Sequence, residues 1–171
     1  NYFDKDTKWI FELDERIKPF WWDDSLQENC YWEMNKWRAS VYSGINLKEA
    51  RNPIHPFEIK APPKITKRHI TLLKKWASVW DSVRVSVWDS VWDSVRDSVW
   101  DSVWAYNGSL FSKIKKWKYC EKLKVKGYPF QSAVKLWKMG LVAGYDGKEW
   151  ILFGSPRGDG KCVELWRGEI K

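Results

Sequence analysis

Apolar side chains recur at every fourth position through the middle of this chain. From Ala77 the sequence runs Ala-Ser-Val-Trp, Asp-Ser-Val-Arg, Val-Ser-Val-Trp, Asp-Ser-Val-Trp, Asp-Ser-Val-Arg, Asp-Ser-Val-Trp, Asp-Ser-Val-Trp and closes on Ala105. Every Ser and Val is kept, the last slot holds Trp or Arg, and the first holds Asp, Ala or Val, each swap being one base change in a codon. A single strand is excluded: alternation would make both faces half polar, over a length several times the usual strand of about 5 to 6 residues. As an α-helix, each tetrad advances about 400°, so the Val-Trp stripe drifts about 40° per tetrad, and a partner would follow it with right-handed curvature.

Intrinsic propensity opposes that helix, because Ser, Val, Trp and Asp all sit low on the helix scale. Two features favour it. No Gly or Pro occurs from Lys64 to Asn107, and Ile65, His69, Leu72, Leu73, Trp76 and Val79 carry helical spacing into the repeat. The rival is a short β-solenoid with one tetrad per side, in which a four-sided coil would stack Arg84 on Trp100 and Trp80 on Arg96 as cation–π pairs. The repeat makes under two such coils, where solenoids need at least three units and caps. In either form Trp80, Trp88, Trp92, Trp100 and Trp104 carry roughly 1,000 Å² of side-chain surface. A monomer's largest exposed apolar patch is about 300–600 Å². Some of this surface must be covered, by the chain's own ends or by other copies at about 800 Å² per partner.

Around the repeat the pattern predicts shorter elements. Trp9, Ile10, Leu13 and Ile17 have helical spacing up to Pro19, and a second helix is expected from Asn29 to Arg38, with Trp32 and Trp37 as core residues. Ala39-Ser40-Val41-Tyr42 resembles a degenerate tetrad, and Asp23-Asp24-Ser25 reads as a turn. Residues 51–63, with Pro53, Pro56, Pro62 and Pro63, read as an extended connector between a Trp-rich segment (1–50) and the helix-plus-repeat (64–106). Asn107-Gly108-Ser109 suggests a helix stop and a fresh N-cap. Leu110, Phe111, Ile114 and Trp117 would be the apolar face of a short basic helix within 107–128. In 129–171 a helix from Gln131 to Met139, closed by Gly140, precedes strands Leu141–Tyr145, Lys148–Phe153 and Lys161–Trp166. Asp146-Gly147 supplies a type I′ hairpin turn. The expected fold is therefore α+β: a long helix-like tetrapeptide spine with a small three-stranded antiparallel C-terminal meander, the solenoid being the alternative.

The Asp-Ser-Val-Trp and Asp-Ser-Val-Arg tetrads, Ala105-Tyr106, Ser109-Leu110-Phe111, Gly140-Leu141-Val142 and Asp146-Gly147-Lys148 with Trp150 resemble a group of uncharacterised proteins from environmental and viral sequence collections. These carry variable numbers of such repeats and a similar C-terminal segment. The resemblance covers roughly residues 77 to 167 and implies no function.

Charge changes the picture more than composition does. The formal net charge is +8. Residues 51–76 and 107–128 each carry +6, and the repeat between them, 77–106, carries −3. The first basic block holds Lys67, Arg68, Lys74 and Lys75 beside Trp76; the second holds Lys113, Lys115, Lys116 and Lys118 beside Trp117. Cations interleaved with aromatic rings suit nucleic acid, though a basic run also serves as a solvated face or pairs with an acidic neighbour. Catalytic patterns fail. Gly154 to Lys161 departs from a phosphate loop at Ser155 and Cys162, Arg157-Gly158-Asp159 is a common tripeptide, and His55 and His69 lack ligand spacing. Cys30, Cys120 and Cys162 form neither a disulfide framework nor a zinc pattern. With no leader pattern or membrane-length apolar run, the expectation is a non-enzymatic structural protein without cofactor, metal, small-molecule substrate or membrane partner. It would work in the cytoplasm or within a virion or similar assembly. It would self-associate, as a homo-oligomer or filament, through Trp80, Trp88, Trp92, Trp100, Trp104, Arg84 and Arg96. Nucleic-acid binding by the two basic blocks is the alternative.

Overall fold

Local rules explain the first helix. The computed structural model describes residues 20–87, 95–117, 120, 123 and 125–170, with the side chains of 84–87 and 95–98 outside that description. The expected helix at Trp9–Ile17 also lies outside it. Residues 1–52 and 53–171 are two compact units. In the first, Asp23 is an N-cap rather than part of a turn: its Oδ1 accepts from the Leu26 N–H at 2.8 Å, and helix α1 runs Asp24–Tyr42, longer at both ends than the apolar spacing predicted. The degenerate tetrad is its last turn. Trp32 and Trp37, expected in a core, are 56% and 59% exposed, because α1 buries none of its residues. Helix α2 (Leu47–Arg51) follows, capped by Asn46.

The second unit begins with the proline segment, which is not a free connector. Pro56–Glu58 forms one 3-10 turn, with Pro at its start where the missing N–H costs nothing. Ile54 is held by both of its backbone groups: its N–H donates to the Tyr106 hydroxyl and its carbonyl accepts from Trp137 Nε1, each at 2.8 Å. The two rings that clamp it are stacked at 5.2 Å. Further along, Ala61 N–H donates to the Ser155 carbonyl and Gly160 N–H to the Phe57 carbonyl. The prolines exclude regular helix, as expected, but their apolar neighbours dock on the core.

The repeat is helical wherever it is described. Helix α3 spans Lys67–Val87 and α4 spans Val95–Ser109, so the solenoid does not hold for these tetrads. The spine is doubled rather than extended. Trp80 Nε1 donates to Asp101 Oδ2 at 2.5 Å, whereas one straight helix would set these residues about 30 Å apart. Both helices pack on α5 (Gln131–Trp137), and α4 also packs on strand β1.

Strands β1 (Leu141–Tyr145), β2 (Trp150–Gly154) and β3 (Val163–Gly168) form the antiparallel meander in the order β1-β2-β3. Tyr145 pairs with Trp150, so the loop is longer than the expected two residues. Asp146 Oδ1 accepts from the N–H groups of Lys148 and Glu149, and Gly147 takes φ 91°. A bulge between Leu152 and Phe153 shifts the β3 register. Gly140, at φ 74°, ends the α5 turn, and a Cβ there would lie 2.9 Å from the Ile59 carbonyl. The core holds Leu73, Trp76, Ala77, Val79, Ala105, Leu136, Leu141, Trp150 and Leu152.

Helix α4 ends at Ser109, within the stop that Asn107-Gly108-Ser109 suggests. Gly108 serves close approach: a Cβ would meet the Tyr128 hydroxyl at 2.4 Å and the Trp117 ring at 3.2 Å. The basic helix expected after it is absent among the described residues: turn bonds run from Asn107 to Ile114, and Ile114 to Trp117 has no regular structure.

Candidate functional site

Helix α4 presents two unlike faces. Ser102, Ala105 and Tyr106 point into the core. Ser102 Oγ donates to the Ala143 carbonyl of β1 at 3.2 Å, and the Ala105 carbonyl accepts from the Tyr128 hydroxyl at 2.6 Å. Burial pushes the Tyr128 phenol well above its ordinary range, which keeps it a proton donor here. Opposite this face stand Trp100 and Trp104, one turn apart, 52% and 69% exposed.

The other predicted assembly residues divide. Trp80 is half-buried against Tyr145 and Trp150, at ring separations of 5.5 and 5.4 Å, and is covered by the protein's own sheet. Trp88 and Trp92, with the side chains of Arg84 and Arg96, lie outside the described residues.

The first basic block keeps its predicted helix. Lys67, Arg68, Lys74 and Lys75 are exposed on α3 together with Thr71 and Ser78, and no carboxylate occurs between Glu58 and Asp81. His69 of this helix is buried and accepts the Thr66 N–H on Nδ1 at 3.1 Å, a structural cap. Burial and Arg68 lower its pKa, so the neutral acceptor form is favoured.

The second block sits on a turn and the irregular stretch after it. Lys113, Lys115 and Lys116 are exposed, and Lys118 lies outside the described residues. Trp117 is a packing residue, half-buried edge-on against Tyr128 and Phe130. Phe130 also meets Trp76 of α3, so ring steps of 6.0 and 6.1 Å link the backbones of the two blocks. Phe111 and Ile114, read from spacing as the apolar face of a helix, are instead 39% and 45% exposed among the lysines. Their interleaving with Lys113 and Lys115 was the one sign of this.

The glycine-rich loop has a structural occupation. Ser155 is fully buried, and its Oγ accepts from the Gly158 and Asp159 N–H groups while donating to Asp159 Oδ1. Those amides face the serine and not a phosphate. At the other end of the sheet Arg167 ties Glu164 to Asp146 and lies 3.7 Å from Glu149. Among the described residues no group of three or more His, Cys, Asp or Glu side chains is placed to hold a metal ion, and no helix is long and apolar enough to cross a membrane.

Comparison with protein-family models, with curated proteins and with solved structures returned no match.

Proposed function

We propose that this chain is a non-catalytic assembly protein that associates with further copies of itself through the α4 face carrying Trp100 and Trp104. The observation that carries this reading is the contrast within one helix: its Ser102, Ala105 and Tyr106 side is locked into the core while two indoles stand in solvent on the other. A second copy is the partner because the chain supplies complementary charge, an acidic repeat between two basic blocks. The two indoles expose on the order of 300 Å², well under the roughly 800 Å² per partner of a standard interface. A single contact is therefore weak and concentration-dependent, and repetition along an assembly raises avidity. The cytoplasm or the interior of a virion or similar assembly suits a chain whose cysteines lack a disulfide pattern.

Light scattering over a concentration series tests the reading. The mass should climb above the 20.4 kDa of the monomer, and the Trp100→Ser plus Trp104→Ser variant should stay monomeric over the same range. A wild-type chain that remains at the monomer mass, or a double variant that assembles as before, overturns it.

A further inference from the structure

We infer that the surface running from Trp104 through Phe111 to Lys116 binds single-stranded nucleic acid. This goes beyond self-association: the surface shares Trp104 with the assembly face and adds Phe111, Lys113, Lys115 and Lys116, which that face does not need. Trp104 stands on the outer side of α4, whose last turn leads directly into the basic segment: Leu110 N–H donates to the Asn107 carbonyl, Phe111 N–H to that of Gly108, and Ile114 N–H to that of Phe111. These bonds hold Phe111 and the exposed Lys113, Lys115 and Lys116 at the end of the helix that presents Trp104. No carboxylate occurs in the sequence from Ser102 to Cys120, and Asp101, just before it, accepts the Trp80 indole N–H.

Ammonium groups alone would take any polyanion. The exposed rings narrow the choice, because an unpaired base offers a flat apolar face on the same polymer that carries the phosphates. A duplex hides its base faces in the stack. An interfacial membrane helix needs one broad apolar face free to enter the headgroups, and the other side of α4 is committed to Ala143, Tyr128 and Trp137.

The test titrates full-length protein into a labelled single-stranded oligothymidylate, its duplex counterpart and phosphatidylserine-containing vesicles at several salt concentrations, with protein mass followed in the same samples. The single strand should bind most tightly. Lys113→Ala, Lys115→Ala and Lys116→Ala together should flatten the plot of log affinity against log salt by about 2, given roughly 0.7 per cation on single strands. Trp104→Ala should weaken binding at least about fivefold at fixed salt. A control of equal charge change, Lys135→Ala with Lys138→Ala and Lys161→Ala, should leave the slope near wild type. Equal effects from the two triple variants, duplex or vesicle binding as tight as the single strand, indifference to Trp104→Ala, or no binding at low salt would each overturn the inference. A monomer that still binds the single strand in this way separates it from the assembly reading.

Discussion

Ser78 and Ser102 occupy the same slot of the first and last tetrads and meet opposite surroundings. Ser78, in the first tetrad, is exposed on α3, and its carbonyl accepts from the Ser82 hydroxyl. Ser102, in the last, is 3% exposed and holds the Ala143 carbonyl of β1. The Trp slot inverts the other way: Trp80 is packed on Tyr145 and Trp150, while Trp104 faces solvent. A four-residue unit in a helix of 3.6 residues per turn turns each slot by about 40° per copy, and although both arms pack on α5, α4 packs closely on β1 as well. Identical letters are thus sorted into core and surface by phase and partner. A repeat built this way keeps one stripe buried at each end and leaves another exposed.

The widest gap should appear in the Trp slot. Trp80→Ala removes two ring contacts and the bond to Asp101 and should cost about 3 kcal/mol, whereas Trp104→Ala should stay within about 0.5 kcal/mol; urea midpoints check both, and equal losses would erase the contrast. Gly108→Ala comes next. At an ordinary helix position this change is favourable, but here the added methyl meets the Tyr128 hydroxyl, so a loss of about 1–3 kcal/mol is expected. In the Ser slot, Ser102→Ala should cost about 1 kcal/mol by stranding a buried carbonyl, while Ser78→Ala should be neutral or stabilising by up to about 0.5 kcal/mol. Thermal melts of the pair read the sign directly.

The smallest effect lies away from the repeat. The backbone N–H groups of Glu149 and Lys148, with Arg167, hold the Asp146 carboxyl below its usual 3.8. A carboxylate whose folded pKa is depressed adds stability above its unfolded value and loses it as pH falls through the folded one. Asp146→Asn should therefore lower the neutral plateau of a stability–pH curve slightly and flatten its acid limb below about pH 4, leaving the most acid end nearly unchanged. A limb of unchanged steepness would place the acid sensitivity elsewhere, for example at Asp159 or Glu164, whose pKa values are also lowered.

What the sequence determined by itself was local. The α+β class, the helical entry into the repeat, the short helix before Gly140, the β1 strand and a turn at Asp146-Gly147 all follow from periodicity and turn chemistry, which act between residues a few positions apart. The tertiary structure decided the rest. Nothing near Ile54 in the chain announces that Tyr106 and Trp137 will clamp it, and nothing in the tetrads says which Trp meets a sheet. Gly108 and Ser109 carry the letters of a helix boundary and α4 does end at Ser109, but nothing near them in the chain says that Tyr128 and Trp117 will fill the space that Gly108 leaves. The exposed face of α4 was likewise hidden in the sequence: five tryptophans share one slot, and only the placement of α5 and β1 separates Trp80 from Trp100 and Trp104. Burial is a property of what packs opposite a residue, and a repeating sequence holds that information least of all.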